Sequence, residues 1–177
     1  VHQPGCGVGG HCIPVDPYYL IERAKQSGFD HKFLKIAREI NNGMPAYTVE
    51  LLQDALNQVK LPMNGTKVGV LGLSYKANID DVRESPAFKV IKHLEKHGAK
   101  VETFDPHVKK RSSVKTLEAL LKKSQALVLV TDHQEFKEVI TPSLLKKHGI
   151  KVIIDGKNCL DRALFSQSGI IYKGIGR

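Results

Sequence analysis

Cys12 stands in the run Gly5-Cys6-Gly7-Val8-Gly9-Gly10-His11-Cys12-Ile13-Pro14-Val15-Asp16-Pro17, between a glycine-rich loop and the start of a helix. A thiol nucleophile needs partial exposure, a stabilised thiolate and a neighbour that manages protons. The glycines let the backbone come close to a ligand and adopt positive φ. Asp16 followed by Pro17 reads as an N-cap and first helical position ahead of Tyr18, Tyr19, Leu20 and Ile21. Cys12 therefore precedes a helix N-terminus, whose partial positive charge favours the thiolate. Asp16 could hold a water or take its proton, although a capping carboxylate is partly committed to backbone N–H groups. His11 is a second candidate proton carrier, but the side chains of sequence neighbours more often point apart. The competing reading makes Cys12 a small buried hydrophobe in a turn, the commoner fate of a free cysteine. The surrounding glycines and the cap argue against it.

A second candidate is Gly69-Val70-Leu71-Gly72-Leu73-Ser74-Tyr75-Lys76-Ala77-Asn78-Ile79-Asp80-Asp81-Val82-Arg83-Glu84-Ser85-Pro86. A strand ending near Gly72 puts Lys76 and Arg83 in a loop over the carboxyl edge of a sheet, where two cations read as phosphate ligands. Arg83 could instead brace the loop by pairing with Asp80 or Asp81. It is not a Walker loop, because the second glycine and the Lys-Ser/Thr pair are missing. The glycines Gly7, Gly9 and Gly10 do not form a dinucleotide fingerprint either, since no strand precedes them. They read as amide donors to a sugar or phosphate. Lys157, in Asp155-Gly156-Lys157, is a further phosphate contact, whereas Thr131-Asp132-His133 reads as strand-end loop chemistry and Asp105-Pro106 as a strand terminator.

The elements that must position these groups fall into two parts. From Asp16 to about Val59 the pattern is helical: a short helix ending near Ser27-Gly28, then Leu34, Ile36, Ala37 and Ile40 followed by Val49, Leu52, Ala55, Leu56 and Val59 on one apolar face. Asn41-Asn42-Gly43-Met44-Pro45 predicts a kink or break, because an internal proline removes a hydrogen bond and clashes with the turn before it. The apolar stripe must lie under the next domain or form a dimer interface.

After Pro62-Met63-Asn64-Gly65 the period changes. Strands are predicted at Lys67–Leu71, Lys100–Phe104, Ala126–Thr131, Val152–Asp155 and Ile170–Tyr172, with helices at Pro86–Lys96, Leu117–Lys123 and Pro142–His148. The expected fold class is α/β, a helical segment (1–62) followed by a Rossmann-like, doubly wound parallel sheet (63–177). In such sheets ligands bind at the carboxyl ends of the strands.

Composition narrows the function classes. The 177 residues are 41% hydrophobic and 25% charged, as in a globular protein, and no apolar run approaches the roughly 20 residues of a membrane helix. No signal-peptide pattern opens the chain, so no membrane partner and a cytoplasmic, reduced setting are expected. Cys6, Cys12 and Cys159 match no zinc spacing, and no metal is expected. The net charge of +9 invites a nucleic-acid reading, but Lys109-Lys110-Arg111, Lys122-Lys123 and Lys146-Lys147 are scattered without aromatic interleaving. A small anionic ligand such as a nucleotide sugar uses the same field. The chain opens with Val1 inside its best motif and is expected to be the back part of something longer.

These residues together resemble the UDP-glucose/GDP-mannose dehydrogenase family. Gly7-Val8-Gly9-Gly10-His11-Cys12-Ile13-Pro14-Val15-Asp16 is most similar to its UDP-N-acetylhexosamine members, since the UDP-glucose members carry lysine where Val15 stands. The resemblance continues through Arg38-Glu39-Ile40-Asn41, Met44-Pro45, Leu71-Gly72-Leu73-Ser74-Tyr75-Lys76, Asp81-Val82-Arg83-Glu84-Ser85-Pro86, Asp105-Pro106 and Thr131-Asp132-His133. It implies a four-electron oxidation in which NAD takes two hydrides in turn from the C6 alcohol of a UDP-sugar. Cys12 matches the family nucleophile, which forms a thiohemiacetal and then a thioester, and Asp16 the aspartate assisting the hydrolytic water. Tyr75 and Lys76 match the substrate-contacting stretch, with Lys76 at the phosphates, and Arg83 matches an arginine reaching the NAD pyrophosphate. Asn41 is assigned no role.

Two departures accompany the resemblance. Cys6 stands where relatives commonly have proline, which implies an altered loop rather than a second nucleophile. The family's NAD-binding domain, which comes first in its members, is not among these 177 residues. The resemblance thus implies the end of a central helical, dimerising domain plus a UDP-binding domain, a homodimer through the helix after Asp30, and a chain that alone cannot turn over NAD. Two readings of other classes remain: a stand-alone nucleotide-sugar-binding and dimerisation module, and a generic thiol hydrolase, which requires a histidine beside Cys12.

Overall fold

The computed structural model describes residues 3–176; Val1, His2 and Arg177 lie outside the described residues. Two helices, α1 (Asp16–Gln26) and α2 (Lys32–Gln58), precede five strands: β1 (Lys67–Leu71), β2 (Lys100–Phe104), β3 (Ala126–Leu129), β4 (Val152–Asp155) and β5 (Ile171–Gly174). All pairings are parallel and the order is β2-β1-β3-β4-β5. Parallel neighbours need long crossovers. These carry α3 (Pro86–Lys96), α4 (Leu117–Lys123), α5 (Gln134–Val139), α6 (Pro142–Lys147) and α7 (Arg162–Ser166).

Strand side chains alternate between two buried faces. Val68, Val70, Val128 and Ile154 meet Val49, Leu52, Ala55 and Leu56 of α2 and Val90 and Leu94 of α3. Leu71, Leu127, Leu129 and Ile153 meet Leu120 and Leu121 of α4, Phe136 of α5, Leu145 of α6 and Phe165 of α7. The C-terminal half of α2 is therefore part of the sheet's own core, while Phe33, Ile36 and Ile40 in its first half are exposed.

Several expectations need correction. The break predicted near Pro45 does not occur, since α2 runs through it as one helix. Full burial of Val49, Leu52 and Leu56, worth about 1.5–3 kcal/mol each, outweighs the roughly 3 kcal/mol of a mid-helix proline. Asp16 is not the N-cap. Val15 occupies that place with no side-chain bond, and Asp16 is the first helical residue. β3 stops at Leu129 because the amides of Val130 and Thr131 both turn to the Leu71 carbonyl, at 2.8 and 3.3 Å. β5 is shifted to Ile171–Gly174, and α5 and α7, too short for a periodic signal, were not predicted.

The chain reverses direction across the sheet between β1 and β3, so the loops after these strands flank the switch point, where ligands of open α/β sheets bind. Those loops hold Tyr75, Lys76 and Arg83 on one side and Asp132 and His133 on the other.

Candidate substrate-binding site

The cysteine loop is seated on the carboxyl edge of the sheet by Cys6. Its side chain is fully buried. A Cβ added to Gly156, just past β4, would collide with the Cys6 sulfur and come within 2.6 Å of the Leu129 carbonyl. Burial pushes the Cys6 thiol up to about 11, and the neighbouring Thr48 side chain of α2 and the nearby Lys157 charge only partly offset it. Cys6 is thus an anchor between α2 and β4, and its raised pKa removes it as a nucleophile at neutral pH.

Beyond this anchor the loop is held at three points. The Val8 amide donates to Asn41 Oδ1 of α2 at 2.9 Å, and the Gly10 amide to the Arg83 carbonyl at 2.9 Å. Gly7 sits in the notch left by Pro45: a Cβ there would be 3.5 Å from the Asn41 carbonyl, which no proline N–H can bond. Gly9 and Gly10 lie against Tyr75, where a Cβ on Gly9 would be 2.7 Å from Tyr75 Cβ and from the Glu84 carbonyl. Gly10 also stands at φ 95°, which a larger residue rarely adopts.

Between these parts lies a cleft of about 770 Å³, within the usual size of a small-molecule site. The cysteine loop lines it with Gly7 and Gly9, the β1–α3 loop with Tyr75 and Lys76, and the β4 end with Lys157. The amides of Gly7 and Gly9 donate to no described residue, so they remain open to a ligand; that of Gly10 is taken by Arg83. Neither Lys76 nor Lys157 has a carboxylate partner among the described residues, so two free cations face one cleft. Ile13, Ala37, Ile40, Asn41, Met44 and Asp132 complete its walls. Ala37 and Ile40 were legible as part of an apolar stripe but not as a ligand wall, and Asn41 and Met44 fell in the predicted break.

Cys12 is exposed, and its carbonyl accepts from the amides of Val15 and Asp16 at 2.9 and 2.8 Å. That turn sets Asp16 one helical turn after the thiol. Because Asp16 does not cap the helix, its exposed carboxylate makes no hydrogen bond to a described residue. His11 is exposed, and no histidine hydrogen-bonds Cys12 among the described residues. Arg83 forms a bidentate pair with Asp81, Nε lying 3.0 and 2.9 Å from its two carboxylate oxygens. The Arg83 guanidinium beside Asp81 holds that carboxyl down at about 2. Arg83 also lies within the electrostatic reach of Tyr75 and Cys12.

Asp105 closes the floor. Fully buried, it accepts from the amides of Leu73 and Ser74 on one oxygen and of His107 and Val108 on the other, with His133 Nε2 at 3.0 Å. Burial works against the charge, but the bonds from His133, Leu73 and Ser74 outweigh it and hold this carboxyl well below the usual carboxylate range. Asp105 is thus committed to the fold, with no lone pair left for a ribose. His107, His133 and Glu135 bring ligand atoms within 4.8 Å of one another, yet both ring nitrogens of His133 are already engaged, by Asp105 and by the Asn78 amide.

Residues 69–162 match the UDP-binding domain of the UDP-glucose/GDP-mannose dehydrogenase family, and residues 1–43 match its central domain. The chain belongs to the UDP-glucose/GDP-mannose dehydrogenase family. It is 41% identical over 177 residues to UDP-N-acetyl-D-mannosamine dehydrogenase of Pyrococcus horikoshii, covering all of this chain and 40% of that protein. The solved structure of UDP-D-ManNAc dehydrogenase from Pyrococcus horikoshii superposes with a TM-score of 0.89, again over all of this chain and 40% of that one. NDP-N-acetyl-D-galactosaminuronic acid dehydrogenase from Methanosarcina mazei gives a TM-score of 0.90 at 34% identity, with the same coverage. The chain thus spans about two-fifths of the length of the relatives it matches. The cleft lies where segments matching the two family domains meet, Gly7, Gly9 and Asn41 coming from one and Tyr75, Lys76 and Lys157 from the other.

Proposed function

We propose that this chain is the substrate-holding, cysteine-bearing portion of an NAD-dependent 6-dehydrogenase that oxidises the C6 alcohol of a UDP-N-acetylhexosamine, UDP-ManNAc or UDP-GlcNAc, to the uronate. In this reading residues 1–62 end the central domain and 63–177 form the UDP-binding domain. The observation that carries it is the shared cleft, which brings the cysteine loop and two unpaired lysines to one switch point.

Lys76 and Lys157 hold the nucleotide phosphates, and the amides of Gly7 and Gly9 with Tyr75 hold the remainder of the substrate, its C6 directed to Cys12. Arg83 fits one phosphate contact to NAD. Bound nicotinamide supplies hydride acceptance at C6. Loss of a first hydride from C6, with the hydroxyl proton passing to water, leaves the aldehyde. The Cys12 thiolate adds to it and the oxygen takes a proton from water to give a thiohemiacetal. Loss of a second hydride from that carbon, the hydroxyl proton returning to water, leaves a thioester. Asp16 takes a proton from water as it adds to the thioester carbonyl; the thiolate then leaves and the uronate is released. In this reading the chain alone binds substrate without turning over NAD. The exposed Phe33, Ile36 and Ile40 support a homodimer through α2; sedimentation at the monomer mass at high concentration would remove that part.

The test is reconstitution. Joined to an N-terminal NAD-binding half, the chain produces NADH from a UDP-N-acetylhexosamine, and Cys12→Ser lowers the rate by roughly a thousandfold or more. Undiminished turnover in that variant would sink the assignment of Cys12.

A further inference from the structure

His133 takes no chemical part in the proposed reaction, yet it is fully buried and both ring nitrogens are used. Nε2 lies 3.0 Å from Asp105 Oδ2 and 3.1 Å from Ser74 Oγ, and Nδ1 lies 2.9 Å from the Asn78 amide nitrogen. The partners fix the tautomer. An amide N–H only donates, so Nδ1 is the acceptor, and the Asp105 carboxylate only accepts, so Nε2 carries the proton. The orientation of the ring is set from both sides. Phe136 packs edge-on at 5.4 Å between centroids and His107 lies tilted over it at 4.8 Å.

What this ring holds is the backbone around Lys76. Ser74 Oγ donates to the Lys76 carbonyl at 2.9 Å, Thr131 Oγ1 to the Ser74 carbonyl at 2.6 Å, and His133 receives the Asn78 amide two residues on. The Gln134 amide donates to the Asn78 side-chain Oδ1 at 3.0 Å, so four hydrogen bonds join the two loops. Asn78 stands at φ 62°, a left-handed conformation that persists for a non-glycine residue only where surrounding bonds over-determine it. Lys76 and Tyr75, the groups that face the cleft, lie between the two fixed points. A lysine side chain is long and flexible, so the reach of its ammonium is set by where the backbone is pinned.

We propose that His133 is the positioning residue of the nucleotide cleft: through Nδ1 and the Asn78 amide it pins the 74–78 loop so that Tyr75 and Lys76 face a phosphate-bearing ligand. The role rests on the reading of the cleft as a UDP-sugar site, and the test separates the two. Asparagine presents an acceptor near the Nδ1 position and glutamine a donor near the Nε2 position. In the 177-residue chain, His133→Asn keeps the Asn78 amide protected from hydrogen exchange and UDP affinity within about threefold of the parent, while His133→Gln loses that protection and weakens UDP about tenfold, the size of one lost buried hydrogen bond. Equal affinity loss in both variants, or parental protection and affinity in His133→Gln, overturns the role. If the parent fails to bind UDP, the reading of the cleft falls, and the pin is judged by exchange alone: equal Asn78 protection in the two variants overturns it. Nitrogen NMR of the unsubstituted chain guards against variants that do not fold. It should find Nε2 protonated and Nδ1 bare, and a protonated Nδ1 overturns the proposal.

Discussion

Cys6 and Cys12 are six positions apart and occupy opposite environments. Cys6 is fully buried against Gly156, and Cys12 is exposed one turn before Asp16. Alkylation follows thiolate fraction and access, so iodoacetamide at mildly alkaline pH should modify Cys12 and leave Cys6 and Cys159, whose thiols burial pushes to about 11 and about 12. Peptide mapping checks it, and labelling of Cys6 at a comparable rate would contradict the anchored loop. Cys12 stands out as a candidate in the sequence because glycines and a helix start surround it. The anchoring of Cys6 was not legible there, since it depends on Gly156 and Thr48, residues brought to it only by the fold.

At the scale of elements, loops after strand ends are fixed by carboxylates and by close glycine contacts. Gly10→Ala would place a Cβ 3.0 Å from Tyr75 Cε2 at φ 95°, a change expected to cost about 1–3 kcal/mol and to weaken UDP as Tyr75 is displaced. A melt and titration indistinguishable from the parent would show that this contact does not shape the cleft. Asp105→Asn turns an amide towards the five donors of Leu73, Ser74, His107, Val108 and His133, and chemical denaturation should register a loss of about 2–4 kcal/mol. The sign with pH follows from the depressed pKa: this stabilisation is present above the ordinary carboxylate range and is lost as pH falls through the folded value, so the variant is the less acid-sensitive of the two. Strands β1, β2 and β4 and helices α3 and α4 were legible from period and punctuation. The unbroken α2 was not, because core burial overrides a local proline, and neither was the Asp105–His133 pair, whose members are 28 residues apart and meet only at the switch point.

For the whole molecule, the positive charge read from composition is local where it matters, as Lys76 and Lys157 stand unpaired at the cleft while most other lysines are scattered over the surface. The folded chain also keeps protons on Cys6 and Cys159 that the unfolded chain releases near pH 9. Stability from these thiols is complete below that pH and is lost as pH rises through about 11 and 12. Cys6 alone should lower it by roughly 2–3 kcal/mol between pH 9 and 11, and Cys159→Ala should flatten the decline seen in alkaline denaturation curves; an unchanged slope would contradict the burial argument. Calorimetric titration with UDP checks the proposal that the cysteine loop and the sheet edge form one nucleotide-sugar cleft in this chain. Saturable binding that Lys76→Met weakens is the expected result; absence of heat with UDP and with both UDP-N-acetylhexosamines would contradict it.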